Sequence, residues 1–71
     1  MNMDAKPSLR EHYKAETRGR ILDAAIAELS VGDLEALTVA RVAERAGVTE
    51  RTVFRHFATR DALIAAVWPR M

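Results

Sequence analysis

Apolar positions along this chain recur with the period of helices. From Leu9 to Leu29 there is no proline, and Ile21, Leu22, Ala25, Ile26 and Leu29 fall on one broad stripe, the spacing that turns one side of a helix inward. Gly19 is the weak point of that run. Pro7 closes a leading tail, and Ser8 followed by Glu11 has the spacing of a capping box. Gly32 and Asp33 end the pattern.

A second apolar face follows. Thr38 is placed as an N-cap, and Val39, Val42, Ala43 and Ala46 come after it at offsets of three, four and seven. Gly47 stops that helix, because glycine takes the left-handed backbone a helix end needs. Thr49 is the next cap, with Val53 and Phe57 pointing inward beside Val48. Thr59 caps a further helix whose inward residues are Leu63, Ile64 and Val67, and Pro69 ends the helical pattern. The spacing predicts helices over 9–30, 39–46, 50–56 and 60–68. No segment alternates cleanly enough for a strand. The expected fold is all-α, a small helical bundle containing a helix-turn-helix and homeodomain-like in kind. Residues 1–8 are expected as a flexible tail and 9–71 as a single domain.

Composition sharpens this picture. Apolar residues make up 49% of the 71, but thirteen of them are alanine, so short helices close-packed on small residues fit and a deep ligand cavity does not. The net charge of +1 hides a split. Residues 1–37 sum to −2, while 38–60 sum to +3, with Arg41, Arg45, Arg51, Arg55 and Arg60 against Glu44 and Glu50. Phosphate binding responds to local charge rather than the average, and guanidinium forks suit phosphates and guanine edges. The chain has no cysteine, and His12 and His56 are its two histidines. No disulfide or closed zinc site is therefore expected. No glycine-rich nucleotide motif follows a strand. No cofactor and no enzymatic activity are expected. No apolar run approaches ~18 residues and no signal segment opens the chain, so the default expectation is a cytoplasmic protein without membrane contact.

Two short helices joined by Gly47-Val48-Thr49 form a helix-turn-helix only when packed on a third. In such units the second helix enters the major groove. Here it exposes Glu50, Arg51, Thr52, Arg55 and His56, with Arg51 and Arg55 one turn apart on a shared face. Thr38, Thr49 and Arg60 stand at helix starts, where free N–H groups suit phosphates. The plain alternative for Arg51, Arg55 and Arg60 is a solvated surface, and for His56 a half-buried histidine. Glu50 has the simpler reading of a carboxylate favoured by the helix dipole. Tyr13, Lys14 and Arg18 are candidates for approaching the backbone or minor groove. Trp68 is open between a core plug and a surface for a further domain. A helical protein-interaction module is the rival reading for the whole chain.

Leu37-Thr38-Val39, Val42-Ala43, Ala46-Gly47-Val48-Thr49, Thr52-Val53-Phe54-Arg55-His56-Phe57 and Arg60-Asp61-Ala62-Leu63, preceded by Arg20-Ile21-Leu22-Asp23-Ala24-Ala25, together resemble the N-terminal domain of the TetR family of bacterial transcriptional regulators. The resemblance covers about residues 18–68. It implies DNA contacts at Thr38 or Val39 and Ala40, at Glu50, Arg51, Thr52, Phe54, Arg55 and His56, and at Arg60. Phe54 stands where the family usually has tyrosine, so a hydroxyl contact to phosphate is lost. Arg60 stands where lysine is common. The resemblance further implies double-stranded DNA with an inverted-repeat operator as partner, a homodimeric parent, and a small-molecule effector bound by a C-terminal domain that these 71 residues do not include. A repressor is the expected role.

Overall fold

A computed structural model describes residues 9–71. The expected tail over 1–8 and the Ser8 half of the capping box lie outside those residues. Helix α1 spans Leu9–Val31, α2 Val39–Ala46, α3 Glu50–His56 and α4 Arg60–Val67. Single 3₁₀ turns at Leu34–Ala36 and Trp68–Arg70 complete the order. Among the described residues there is no strand, and no helix is long and apolar enough to cross a membrane.

Threonine caps all three short helices. The hydroxyls of Thr38, Thr49 and Thr59 accept from the backbone N–H of Arg41, Thr52 and Ala62 at 3.2, 3.1 and 3.0 Å. Each thus satisfies a donor that the first helical turn leaves open. Gly47 ends α2 at φ +76°, and Val48 N–H reaches back to Ala43 C=O at 2.9 Å, the wrap-around of a Schellman-type stop.

The core lies where α1 crosses α2 and α4. Ile21, Leu22, Ala24 and Ala25 of α1 meet Val42, Ala43 and Ala46 of α2, Val53 of α3, and Leu63 and Val67 of α4. Leu37 and Phe57 close it from the connecting segments. Ile26 and Leu29, expected on the α1 stripe, are only partly buried.

Two features depart from expectation. The sequence pattern assigns nothing between Asp33 and Leu37, yet the chain there makes a 3₁₀ turn capped by Asp33, whose Oδ1 accepts from Ala36 N–H at 3.0 Å. Pro69 does not simply end the helical path. It sits early in the last 3₁₀ turn, where its missing N–H leaves no bond unmade. Trp68 is 55% exposed, which rules out the core plug.

Polar clamps hold α1 to the rest. Arg20 Nη2 donates to Ala46 C=O at 2.7 Å, placing a guanidinium on the negative end of α2. Arg70 Nε pairs with Asp23 at 2.9 Å. The Arg18 guanidinium lies 4.9 Å from the centre of the Phe57 ring, within cation–π range.

Candidate nucleic-acid interface

Helix α3 is only seven residues long, too short to persist alone. Val53 and Phe57, both buried, pin it to the core. That anchoring decides what faces outward. Glu50, Arg51, Phe54 and Arg55 are exposed, while Thr52 and His56 are half-buried along one flank. Thr49 caps the helix, and its hydroxyl lies 3.1 Å from that of Thr52, so the two side chains form a small polar pair. Thr38 and Ala40 are exposed at the start of α2, with Val39 half-buried between them.

The expected residues thus divide by element. Thr49, Glu50, Arg51, Thr52, Phe54, Arg55 and His56 all belong to α3 or its cap. Thr38 and Ala40 sit at the adjacent N-terminal end of α2, and Arg60 at that of α4. No hydrogen bond or ion pair among the described residues holds Arg51 or Arg55. Both guanidiniums are available to a ligand. Phe54 is 45% exposed, one of several large apolar side chains among the described residues that face solvent.

Arg60 differs from the free cation expected of it. Its Nε donates to Leu37 C=O at 2.7 Å, and Nη2 makes a further short hydrogen bond to Leu34 C=O. The guanidinium fork is closed on the Leu34–Leu37 turn. Lysine, whose three N–H donors share one nitrogen, lacks the spread of this two-nitrogen, two-carbonyl fit. Arg60 therefore joins α4 to the segment that delivers Thr38 to the head of α2.

The basic region is also less free than its charge count implies. Glu28 of α1, 7% exposed, accepts from Arg41 Nε at 3.0 Å and from Arg45 Nε at 2.6 Å. Hydrogen bonds from Arg45 and then Arg41 hold its carboxyl below the ordinary range. The same contact raises Arg41. Glu28 escaped the sequence reading because a carboxylate on the apolar stripe looks like a break in it. The available signal was its register with the arginine pair spaced one turn apart.

His56 is half-buried on the flank of α3. Partial burial, then the nearby charges of Lys14 and Arg18, lower its pKa below the usual histidine value. Beside it an open cleft of about 480 Å³ separates α3 from the first turns of α1. Thr52, Arg55 and His56 form one wall, with Arg10 and Lys14 on the other.

Comparison with known proteins identifies the family of the chain. A family model described as bacterial regulatory proteins, tetR family, matches residues 21–67. The chain is 39% identical over 62 residues to the HTH-type transcriptional repressor KstR of Rhodococcus jostii (strain RHA1), covering 87% of this chain and 29% of that protein. It is 36% identical over 66 residues to the KstR repressor of Mycobacterium tuberculosis (strain ATCC 25618 / H37Rv), covering 93% and 30%. The uncharacterized HTH-type transcriptional regulator YvkB of Bacillus subtilis (strain 168) is 41% identical over 51 residues, covering 72% and 27%. The chain spans less than a third of the length of these relatives. No solved structure matches it.

Proposed function

Because the chain belongs to the tetR family of bacterial regulatory proteins, whose members are DNA-binding regulators rather than enzymes, we propose that α3 lies in the major groove and reads base edges with Arg51 and Arg55. The observation that carries this reading is the pair of unengaged guanidiniums on the outer face of a helix whose inner face is pinned by Val53 and Phe57. Either fork can meet guanine N7 and O6 together. Glu50, at the first turn of α3, is placed to accept from cytosine N4. Phe54 packs against a thymine methyl or the sugar edge.

Thr38, Ala40 and Thr49 bring the N-terminal ends of α2 and α3 to the phosphates, which position without specifying. Arg60 acts at one remove, by fixing the turn that presents Thr38. Its backbone N–H at the head of α4 remains the part suited to phosphate.

The relatives named as repressors suggest the same role here. In that setting the parent protein is a homodimer on an inverted repeat, since two-fold protein symmetry matches paired half-sites. A small-molecule effector would act through sequence beyond these 71 residues. With DNA as its partner, the protein works in the cytoplasm.

Selection of duplexes from a random pool, followed by binding across a salt series, tests the proposal. A recovered half-site with affinity falling steeply in salt supports it. Recovery of no motif, with binding to protein partners through Phe54, would favour the interaction module.

A further inference from the structure

Helix α2 meets the core through Val42, Ala43 and Ala46, a face of small side chains. Such a face interlocks weakly against rotation about the helix axis. Its two ends are held through backbone, by Arg60 on Leu37 C=O and Arg20 on Ala46 C=O, at 2.7 Å each. One carbonyl at each end fixes where that end lies better than how the helix is turned. The side chains of α2 that engage α1 are Arg41 and Arg45, one turn apart on one flank, and both reach Glu28. Its Oε1 accepts from Arg41 Nε at 3.0 Å and its Oε2 from Arg45 Nε at 2.6 Å. At 3.6 residues per turn, Ala40 falls on the opposite flank of the buried stripe, just after the Thr38 cap. Rotation of α2 away from Glu28 therefore displaces the end that carries Thr38 and Ala40.

We propose that Glu28 is a positioning residue for DNA binding: by holding Arg41 and Arg45 at two points along α2, it sets how α2 is turned on α1 and so where Thr38 and Ala40 meet the phosphates. The inference rests on the placement of α2 and α3 against a duplex, and it adds a residue of α1 that acts through α2. Stability is the weaker reason for a carboxylate at this position. Glu28 is the one charged side chain buried among the described residues, and the cost of taking it out of water offsets much of what its ion pairs contribute. An apolar side chain of similar volume at such a position is often neutral or stabilising. Arg41 and Arg45 are 62% and 42% exposed, so water takes up both guanidiniums once the carboxylate is gone. Leucine does not supply the directional, two-point contact of a carboxylate. Stability and DNA affinity therefore separate in Glu28→Leu.

The measurement pairs urea unfolding with duplex affinity across a salt series, at a temperature where circular dichroism shows each variant folded. Glu28→Leu should keep the wild-type urea midpoint or exceed it. Its affinity for the selected duplex should fall about tenfold, and less for scrambled duplex, since register matters only where bases are read. The salt slope should stay as in wild type, because the arginines of α3 are untouched. In nuclear magnetic resonance spectra of the free protein, the amides of Thr38 and Ala40 should shift while those of Leu63 and Val67 in α4 hold. Arg45→Gln leaves Arg41 on Glu28 and should show the same effects in smaller measure; it carries the test if Glu28→Leu does not fold. Added to Glu28→Leu, it should cost no further affinity, because the two residues act through one contact. Unchanged affinity in Glu28→Leu, with wild type binding normally, would overturn the positioning role and leave the α3 reading in place. So would a lowered urea midpoint with unmoved Thr38 and Ala40 amides, the mark of a contact that supports the fold alone. A steeper salt slope with tighter binding to scrambled duplex would show that Glu28 withholds Arg41 and Arg45 from phosphates, and would overturn it as well. Failure of wild type to bind any duplex would remove both readings together.

Discussion

At the scale of single residues, Arg60 shows how a side chain's partners redirect its role. Its two backbone acceptors, Leu37 and Leu34, make it a brace. Arg60→Ala should cost about 1–2 kcal/mol of stability, seen as a lower urea midpoint, and Arg60→Lys should recover only part of it. A midpoint unchanged in Arg60→Ala would contradict the brace. Glu28 offers a second test. Its pKa is lowered in the folded state, so its contribution is present above the unfolded value near 4.5 and is lost as pH falls through the folded one. Acid titration of the urea midpoint should show that loss, and Glu28→Gln should remove it. His56 has the same sign in the free protein. Its pKa is lowered from 6.5, so its stability contribution is present above that value and is lost as pH falls through the folded one. Neither Glu28 nor the Arg60 brace was legible in the sequence, because each depends on a partner 13 or more residues away. Pattern along one helix does not reveal which distant carbonyl or carboxylate faces it.

At the scale of elements, the sequence was far more legible. The helices expected over 39–46 and 50–56 match α2 and α3, because both boundaries are written in local chemistry. A threonine hydroxyl starts each, and Gly47 or the extended Phe57 backbone stops it. The 3₁₀ turn at Leu34–Ala36 was missed because its only local signal is the Asp33 cap, and Asp33 also serves as a plausible helix stop. Gly47 permits a direct check. Its φ is +76°, and a Cβ added there would meet Arg20 Nη2 at 3.1 Å, so Gly47→Ala should cost about 1–2 kcal/mol. Val53→Ala should cost about 2 kcal/mol by opening a cavity beneath α3. Thermal unfolding followed by circular dichroism reads both. If Val53→Ala melts like wild type, packing does not hold the recognition helix in place.

At the scale of the whole molecule, what matters is which charges remain free. Two of the five arginines in residues 38–60 are tied to Glu28 and Arg60 is tied to backbone, which leaves Arg51 and Arg55 to face outward. The +3 of that region was readable, but its division was not. The core is built from few large side chains, with Ile21, Leu37 and Leu63 among the largest fully buried. The 71 residues should therefore sediment as a monomer, melt below about 65 °C, and bind one half-site more weakly than a linked pair would. A tight dimer in sedimentation would contradict this. The central claim, that α3 reads bases, is tested most directly by Arg55→Ala against the selected half-site and a scrambled duplex across a salt series. The account predicts a loss of about 1–3 kcal/mol on the selected site, relaxed preference mainly at one base pair, and a smaller loss on scrambled duplex. Equal loss on both duplexes would reduce Arg55 to a phosphate contact, and no loss on either would contradict the reading of α3 as the recognition helix.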